Sequence, residues 1–455
     1  MAVAGATTLA LNRYMLRGTF VGALGGFLFG FDTVVISGTL AGLTQTYLLS
    51  TAQVGTLVSV ALWGTVVGAL TAGPLSQRYG SREMLRITAL LYLLSAVGCA
   101  FAPSLSFFLV SRFLGGLGIG GSSVLGPVYI AELAPARIRG RLVGTFQIAI
   151  VVGILLAYLS NYSISLLNLG QAEWRWQLGI AVLPSLVFFG LLFAIPRSAR
   201  WLASTGNFTE AREVLELIGS PNSKAELDDI RESLHMEISQ KKSSLFERLN
   251  GRLRYRKPIF LAVAIGAFNQ LSGINAILYY LPTIFAAAGF SKVSGNLQAI
   301  AIGAMNLAAT LLGMALIDKV GRKMLLLIGA IGTAASLAAV AAIFATHHYE
   351  RFLLWALIAF IGFFAISQGA VIWVYISEIF PTRVRSKGQG LGSGTHWVMN
   401  AILSGLFPVI AVRSGAYPFI FFATMMVLQF VVVLAFFPET KRVSLEELQR
   451  KLMIV

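Results

Sequence analysis

The chain has 455 residues, of which 56% are hydrophobic and only 12% charged, and its mean hydropathy is +0.78. Such a composition cannot cover a water-soluble globule with polar surface, so the chain reads as a polytopic membrane protein. The net charge of +16 comes from cations lying between apolar runs, which makes it a topology signal and removes the case for nucleic-acid binding.

In chain order, runs long enough to cross a bilayer of about 30 Å occupy 17–40, 52–75, 84–103, 106–132, 142–164 and 175–196. A second six occupy 258–289, 296–317, 324–347, 352–380, 388–411 and 416–437. Helices are the sensible assignment, because each run then closes its own backbone hydrogen bonds in lipid. The first span starts some 17 residues in, is too long for a signal-peptide core and lacks a small-residue cleavage site, so it is expected to be retained. The single cysteine, Cys99, excludes an intramolecular disulfide framework and leaves the redox compartment open.

If both termini lie in the cytoplasm, only Arg175, Lys292, Arg351 and Arg413 fall in outer loops, and Arg112 within a span, out of 35 Lys and Arg residues. That bias sets the expected orientation in the cell membrane. Between the two sets of six lies a polar segment, 197–257, in which Phe208, Ala211, Val214, Leu215 and Ile218 recur at helical spacing. It is read as three short amphipathic helices, the last in SSLFERL at 243–249, forming a bar between the halves or else a flexible linker. A tail helix follows the last span, with Ser444 as its candidate N-cap and Glu447 three residues on. The organisation is therefore an N-terminal half at 1–196, a linking segment at 197–257, a C-terminal half at 258–437 and a tail at 438–455.

The halves repeat. LSQRYGSREML at 75–85 returns as LIDKVGRKMLL at 316–326, and AELAPARIRGR at 131–141 returns as SEIFPTRVRSKG at 377–388, offsets of 241 and 246. The glycine run GGLGIGG at 115–121 has dinucleotide-like spacing but sits inside a span, where close helix packing explains it better.

Seven stretches stand out: GGFLFGFDTVVISG in span one, RFLGGLGIGG and PVYIAELAPARIRGR in and after span four, QLSGINAILYY in span seven, DKVGRK after span eight, WVYISEIFPTRVR in span ten and FPETK after span twelve. Together they resemble the signatures of the sugar porter family of the major facilitator superfamily, the proton–sugar symporters and facilitative hexose carriers. The likeness covers about residues 18–442. It implies the major facilitator fold, an all-α membrane protein of twelve transmembrane helices in two pseudo-symmetric six-helix halves with a cytoplasmic helical segment. It also implies secondary active uptake of a monosaccharide, a hexose or pentose of glucose-like kind, coupled to protons by alternating access. A facilitative uniporter on the same fold is the alternative, and a non-transporting sensor a remote one. The expected partners are the sugar, protons and the lipid bilayer, with the monomer as the working unit. No motif joins a nucleophile to a base or gathers metal ligands, so neither enzyme, cofactor nor metal is expected.

Asp32 in span one and Arg112 in span four are costly in lipid and must face protein or water. Burial raises and a nearby cation lowers the proton affinity of a carboxyl, so a pair that opens and closes takes up and releases a proton. The resemblance assigns these two that role; a static structural pair is the other reading. A sugar needs donors and acceptors for its hydroxyls and flat faces for its C–H groups. By the same resemblance Gln147, Gln270, Asn275, Asn306, Trp373, Trp397 and Asn400 line the sugar site, and Asn269 stands there in place of an expected glutamine, one methylene shorter. Each polar one could equally be inter-helix glue. His396 stands where Gln or Asn is usual and either binds sugar or adds a proton-sensitive group, and Phe29 either touches sugar or belongs to the core.

Gln270 and Asn275 lie about 140° apart on an unbroken helix. Span seven is therefore expected to break at Gly273, letting both amides converge while Tyr279 and Tyr280 close above as an outer gate. An inner gate is expected from Glu132 with Arg139 and its repeat Glu378 with Arg385, joined by Arg78, Arg82, Arg200 and Arg322. The chain departs from the family at Gln77 and Gly80-Ser81-Arg82-Glu83, which weakens half of that latch. It departs also at Pro196-Arg197-Ser198, which reverses a charge, and at Ala370 in place of Pro, which predicts a smaller kink in span ten.

Overall fold

The computed structural model describes residues 12–135, 138–220, 222–239, 245–249, 252–381, 384–443 and 445–452. Among the described residues, twelve helical spans are long and apolar enough to cross a membrane. In the first half they are α1 (Arg13–Tyr47), α2 (Thr51–Tyr79), α3 (Ser81–Ala100), α4 (Leu105–Leu133), α5 (Arg139–Ser165) and a sixth span divided into α6 (Glu173–Gly179) and α7 (Val182–Leu191). Side chains fix several of the ends. Ser50 and Gln53 form a reciprocal capping box at the start of α2, and Ser104 caps α4.

The linking segment holds α8 (Ala199–Ser204), α9 (Phe208–Leu217) and α10 (Ser223–Ser239), followed by β1 (Arg248–Leu249) paired antiparallel with β2 (Arg252–Leu253). The helix expected over 243–249 is thus not formed: its described part is a turn leading into β1. Ala211, Val214 and Leu215 bury a small core with Leu202 and Leu227, whereas Phe208 stays exposed beneath the Arg231 guanidinium, 4.0 Å from its ring centre. These helices dock on the first half, through Trp201 Nε1 donating to the Gln77 carbonyl and Asn12 Nδ2 to that of Leu217. Leu245 and Tyr255 instead join the core of the second half.

That half contains a seventh span in three pieces, α11 (Arg256–Leu271), α12 (Ile274–Tyr279) and α13 (Leu281–Ala287), then α14 (Lys292–Val320) and α15 (Arg322–Thr346). The tenth span joins α16 (Leu353–Phe364) to α17 (Ala370–Ile379) through a π-turn at Ala365–Gly369, and α18 (Arg385–Arg413) and α19 (Tyr417–Phe436) complete the bundle. The tail helix is α20 (Leu445–Lys451); its candidate cap Ser444 lies outside the described residues. Where Pro was missing at Ala370, the π-turn supplies the irregularity instead, one turn earlier.

Packing within each half is dense, and the glycine run shows why it exists. Cβ atoms built on Gly116 and Gly120 would collide with the carbonyls of Ala61 and Thr65, so α4 approaches the α2 backbone only because these side chains are absent. Gly80 and Gly321, related by the repeat, turn their chains with φ of 89° and 103°, a region closed to most L-residues. Between halves, α2 packs on α18 and α5 on α14.

Candidate functional site

Span seven breaks where the amide phases demanded it. Gly273 adopts φ of 80° between α11 and α12, and a Cβ there would strike the Phe422 ring. Across this break Asn275 Nδ2 donates to Gln270 Oε1 at 3.1 Å, a contact that a continuous helix would not allow.

Midway through the bundle lies a cavity of about 130 Å³. The first half contributes Phe29, Thr33 and Gln147; the second contributes Asn269, Asn275 and Asn306 as amides and Trp373, His396 and Trp397 as rings. The rings form one layer: the His396 centroid is 5.2 Å from that of Trp373 and 5.0 Å from that of Trp397, and Phe29 reaches Trp397 at 5.4 Å. Thr33 and Thr310 also line the wall, and sequence reasoning missed both because a threonine in a span carries no distinguishing mark. The cavity combines amide donors and acceptors with apolar ring faces, which is what binding a small polyol requires.

Three expected site residues sit behind the wall. Gln270 Nε2 donates to Asn269 Oδ1 at 3.1 Å and lies 3.2 Å from His396 Nε2, so it orients three wall residues without facing the cavity. Asn400 is fully buried; its Nδ2 donates to Tyr279 Oη at 3.2 Å and its Oδ1 accepts from Ser404. Of the two gate tyrosines, Tyr279 reaches the cavity, while Tyr280 turns away, donates to the Ser404 carbonyl and stacks on Phe407.

Asp32 and Arg112 do meet. Arg112 Nη1 lies 3.1 Å from each Asp32 carboxylate oxygen, and both residues are buried. Asp32 is not part of the cavity wall, although its neighbours Gly30, Thr33 and Val34 are.

On the face that carries the linking helices, the bonds of the expected inner-gate residues Glu132, Arg139, Arg322, Glu378 and Arg385 do not, among the described residues, cross between the two halves. Arg322 clasps Glu378 with Nη2 at 2.8 Å and Nε at 3.2 Å, and Thr440 Oγ1 donates to the same carboxylate. The repeat places Ser81 at the Arg322 position, and its hydroxyl donates to Glu132 at 2.8 Å, a single hydroxyl bond in place of a bidentate ion pair. Arg82 therefore does not clasp Glu132; it pairs with Glu83 at 2.6 Å and donates to the Ile195 carbonyl. Arg139 and Arg385 do not pair with their glutamates either: each Nε donates to a carbonyl five residues back, of Ala134 and Phe380. Arg78 is exposed over Tyr79, and Arg200 on α8 is near enough for its charge to act on Glu132. Burial raises the Glu439 carboxyl, but backbone N–H bonds from Lys441, Arg322, Lys323 and Thr440 outweigh it and leave the pKa lowered from the ordinary value. At the matching place Arg197 reverses the charge and meets Glu83 at 3.5 Å.

On the opposite face, among the described residues, two polar contacts cross between halves. Tyr158 Oη donates to the Leu278 carbonyl at 2.8 Å, and Lys292 Nζ meets Glu173 Oε2 at 2.7 Å.

Two six-helix halves around a central amide-and-aromatic cavity, closed on one face, define a membrane carrier for a small polar solute. Known proteins make that class specific. The family described as "Sugar (and other) transporter" matches residues 18–452, and the chain belongs to this family: it is a multi-pass membrane transporter of the major facilitator fold, not an enzyme. It is 36% identical over 447 residues to a D-xylose transporter of Levilactobacillus brevis, covering 95% of this chain and 94% of that one. It is also 36% identical over 436 residues to the arabinose-proton symporter of Bacillus subtilis, covering 94% and 92%. Among solved structures, it matches the inward-open xylose transporter of E. coli with a TM-score of 0.84 at 33% identity, covering 96% of this chain and 100% of that one. Against the same transporter bound to 6-bromo-6-deoxy-D-glucose the TM-score is 0.78 at 34% identity, covering 96% and 99%.

Proposed function

We propose that this transporter is a proton-coupled symporter taking up a hexose or pentose, with both termini in the cytoplasm. The observation that carries the reading is the buried Asp32–Arg112 pair, set one helix face away from the sugar cavity. A carboxylate in that place is costly in lipid, and its retention supports a working acid rather than an inert strut. Symporters among the relatives, such as the arabinose-proton symporter, support the same conclusion.

In this reading the side chains of the cavity exchange hydrogen bonds with the sugar hydroxyls, and the Trp373 and Trp397 rings cover its apolar faces. Protonation of Asp32 removes one charge of the pair and frees Arg112. Deprotonation restores the pair, so the two protonation states favour different packings of α1 against α4. The contacts made by Tyr158 and Lys292 shut the outer face, and the closer match to an inward-open relative supports the same state.

The test is uptake into liposomes containing the purified monomer. An imposed inward proton gradient is expected to drive sugar accumulation in the wild type, whereas Asp32→Asn equilibrates sugar without concentrating it. Equal accumulation with and without the gradient would leave facilitated diffusion as the function.

A further inference from the structure

Resting on the symport reading, we propose that Ser95 on α3 holds a water molecule through which the proton reaches Asp32, away from the sugar. The argument begins with helix phase. Phe29, Gly30, Thr33 and Val34 line the sugar cavity, an arc of α1 centred about 130° from Asp32, so its carboxylate lies off the cavity face, toward α4. That side is built by α3 and α4. A Cβ placed on Gly115 of α4 would collide with Ser95 Oγ and lie 3.4 Å from Asp32 Oδ2. The two oxygens thus face each other across a glycine, without a direct hydrogen bond, within the reach of one bridging water.

Two buried polar groups here lack protein partners. Most hydroxyls inside these spans bond back to a carbonyl on their own helix: Thr65 to Ala61, Thr88 to Met84 and Ser111 to Phe107. Ser95, at 1% exposure, does not: its Oγ has no partner of hydrogen-bonding geometry, and its neighbour one turn on along α3 is the Cys99 thiol, a weak hydrogen-bonding group. Arg112, at 2% exposure, spends Nη1 on the carboxylate and leaves Nε unpartnered. Buried donors of this kind are rare unless water completes them. The titratable groups acting on the pair are Tyr92 and Cys99 on α3 and Tyr279 on α12; the Tyr92 hydroxyl is already bonded to Ser122 Oγ, and that of Tyr279 to Asn400. Ser95 is therefore the hydroxyl left to hold the water.

The step balances simply. The water gives a proton to Asp32 Oδ2, making a neutral acid, and takes another from solvent; release runs in reverse. Ser95 is a positioning residue, since it holds the water and does not itself titrate.

The experiment reconstitutes the full chain and compares proton-driven uptake with sugar exchange at equal gradients. For Ser95→Ala the ratio of driven to exchange flux is expected to fall about tenfold, with an altered dependence on external pH, and Ser95→Thr to restore it to within about twofold. Thermal melting checks folding, and Ser95→Cys, close in size but a weak donor, gives a second reading expected to fall between Ala and Thr. If Ser95→Ala keeps the wild-type ratio and pH profile, or if driven and exchange flux fall together and Thr does not rescue, the water site is wrong while symport stands. Absence of gradient-driven uptake in the wild type overturns the symport reading and this proposal with it.

Discussion

Removing the charge of Lys292 should open the outer face. Its ammonium is 54% exposed, but the Glu173 carboxylate it meets is only 9% exposed and also accepts from Gln177 Nε2 at 3.1 Å. Exposed pairs contribute roughly 0.2–1 kcal/mol. The sheltered carboxylate puts this pair near the upper end, and solvent around the lysine keeps it from going further. A value of about 1 kcal/mol corresponds to about a fivefold change in the ratio of outer-closed to outer-open molecules. Because Glu173 lies on α6 and Lys292 at the start of α14, the pair exists only while the halves touch on that face. Spin labels at the exposed Asn168 and Val412, in a Cys99→Ser background, would report the separation of the outer loops. Lys292→Met and Glu173→Gln should each lengthen the mean distance, and the double variant should do no more than either alone. Salt at 1 M, where the screening length is about 3 Å, should move the wild type in the same direction. If the two single effects simply add in the double variant, the charges do not interact and the latch is refuted.

Gly273→Ala forces a Cβ into the left-handed region and against Phe422, so it should lower the melting temperature and sugar affinity together, at a cost of at least about 1–2 kcal/mol. Ser81→Arg should rebuild in the first half the ion pair that Arg322 makes with Glu378; labels on the loops of the face bearing Glu132 and Glu378 would show a changed distribution, lost again with Glu132→Gln. Glu439 has a folded pKa below its ordinary 4.5, so its stabilising effect is present above that value and is lost as pH falls through the folded pKa. Melting curves from pH 6 downward should therefore drop more steeply for the wild type than for Glu439→Gln. A parallel pair of profiles would show that its backbone bonds do not depend on charge.

Some of this arrangement was legible in the sequence because it follows from periodicity. The break at Gly273 could be read from the mismatch of phase between Gln270 and Asn275, and the equivalence of Gly80 and Gly321 from the repeat. The same repeat held the identity of Ser81 as the counterpart of Arg322, since both immediately follow the glycine. What could not be read was orientation beyond a break. Once an αL residue resets the helix, no wheel drawn through it tells that Tyr279 turns inward and Tyr280 outward. Nor does spacing reveal that Gln270 and Asn400 bond to wall residues instead of facing the cavity. Ion-pair partners were equally hidden: Arg139 and Arg385 were matched to glutamates by charge, whereas the carbonyls of Ala134 and Phe380, each just past the end of a helix, take up their Nε donors.

On the proposed symport reading, the division of labour between halves constrains how sugar and proton are coupled. The charged pair belongs entirely to α1 and α4, while most amides and all the indoles of the cavity come from the second half. A sugar held mainly by the second half can influence Asp32 only through what it touches on α1, and Phe29 is the first-half ring that meets Trp397. Phe29 lies three residues before Asp32, about 60° from it around the helix, so a shift of that ring turns α1 and moves the carboxylate relative to Arg112. Coupling by this route requires bulk at position 29 but no particular polarity. Phe29→Leu should then keep most of the gradient-driven accumulation, whereas Phe29→Ala should leave sugar exchange running while the proton-to-sugar ratio falls. If both substitutions leave that ratio unchanged, the signal does not pass through this ring.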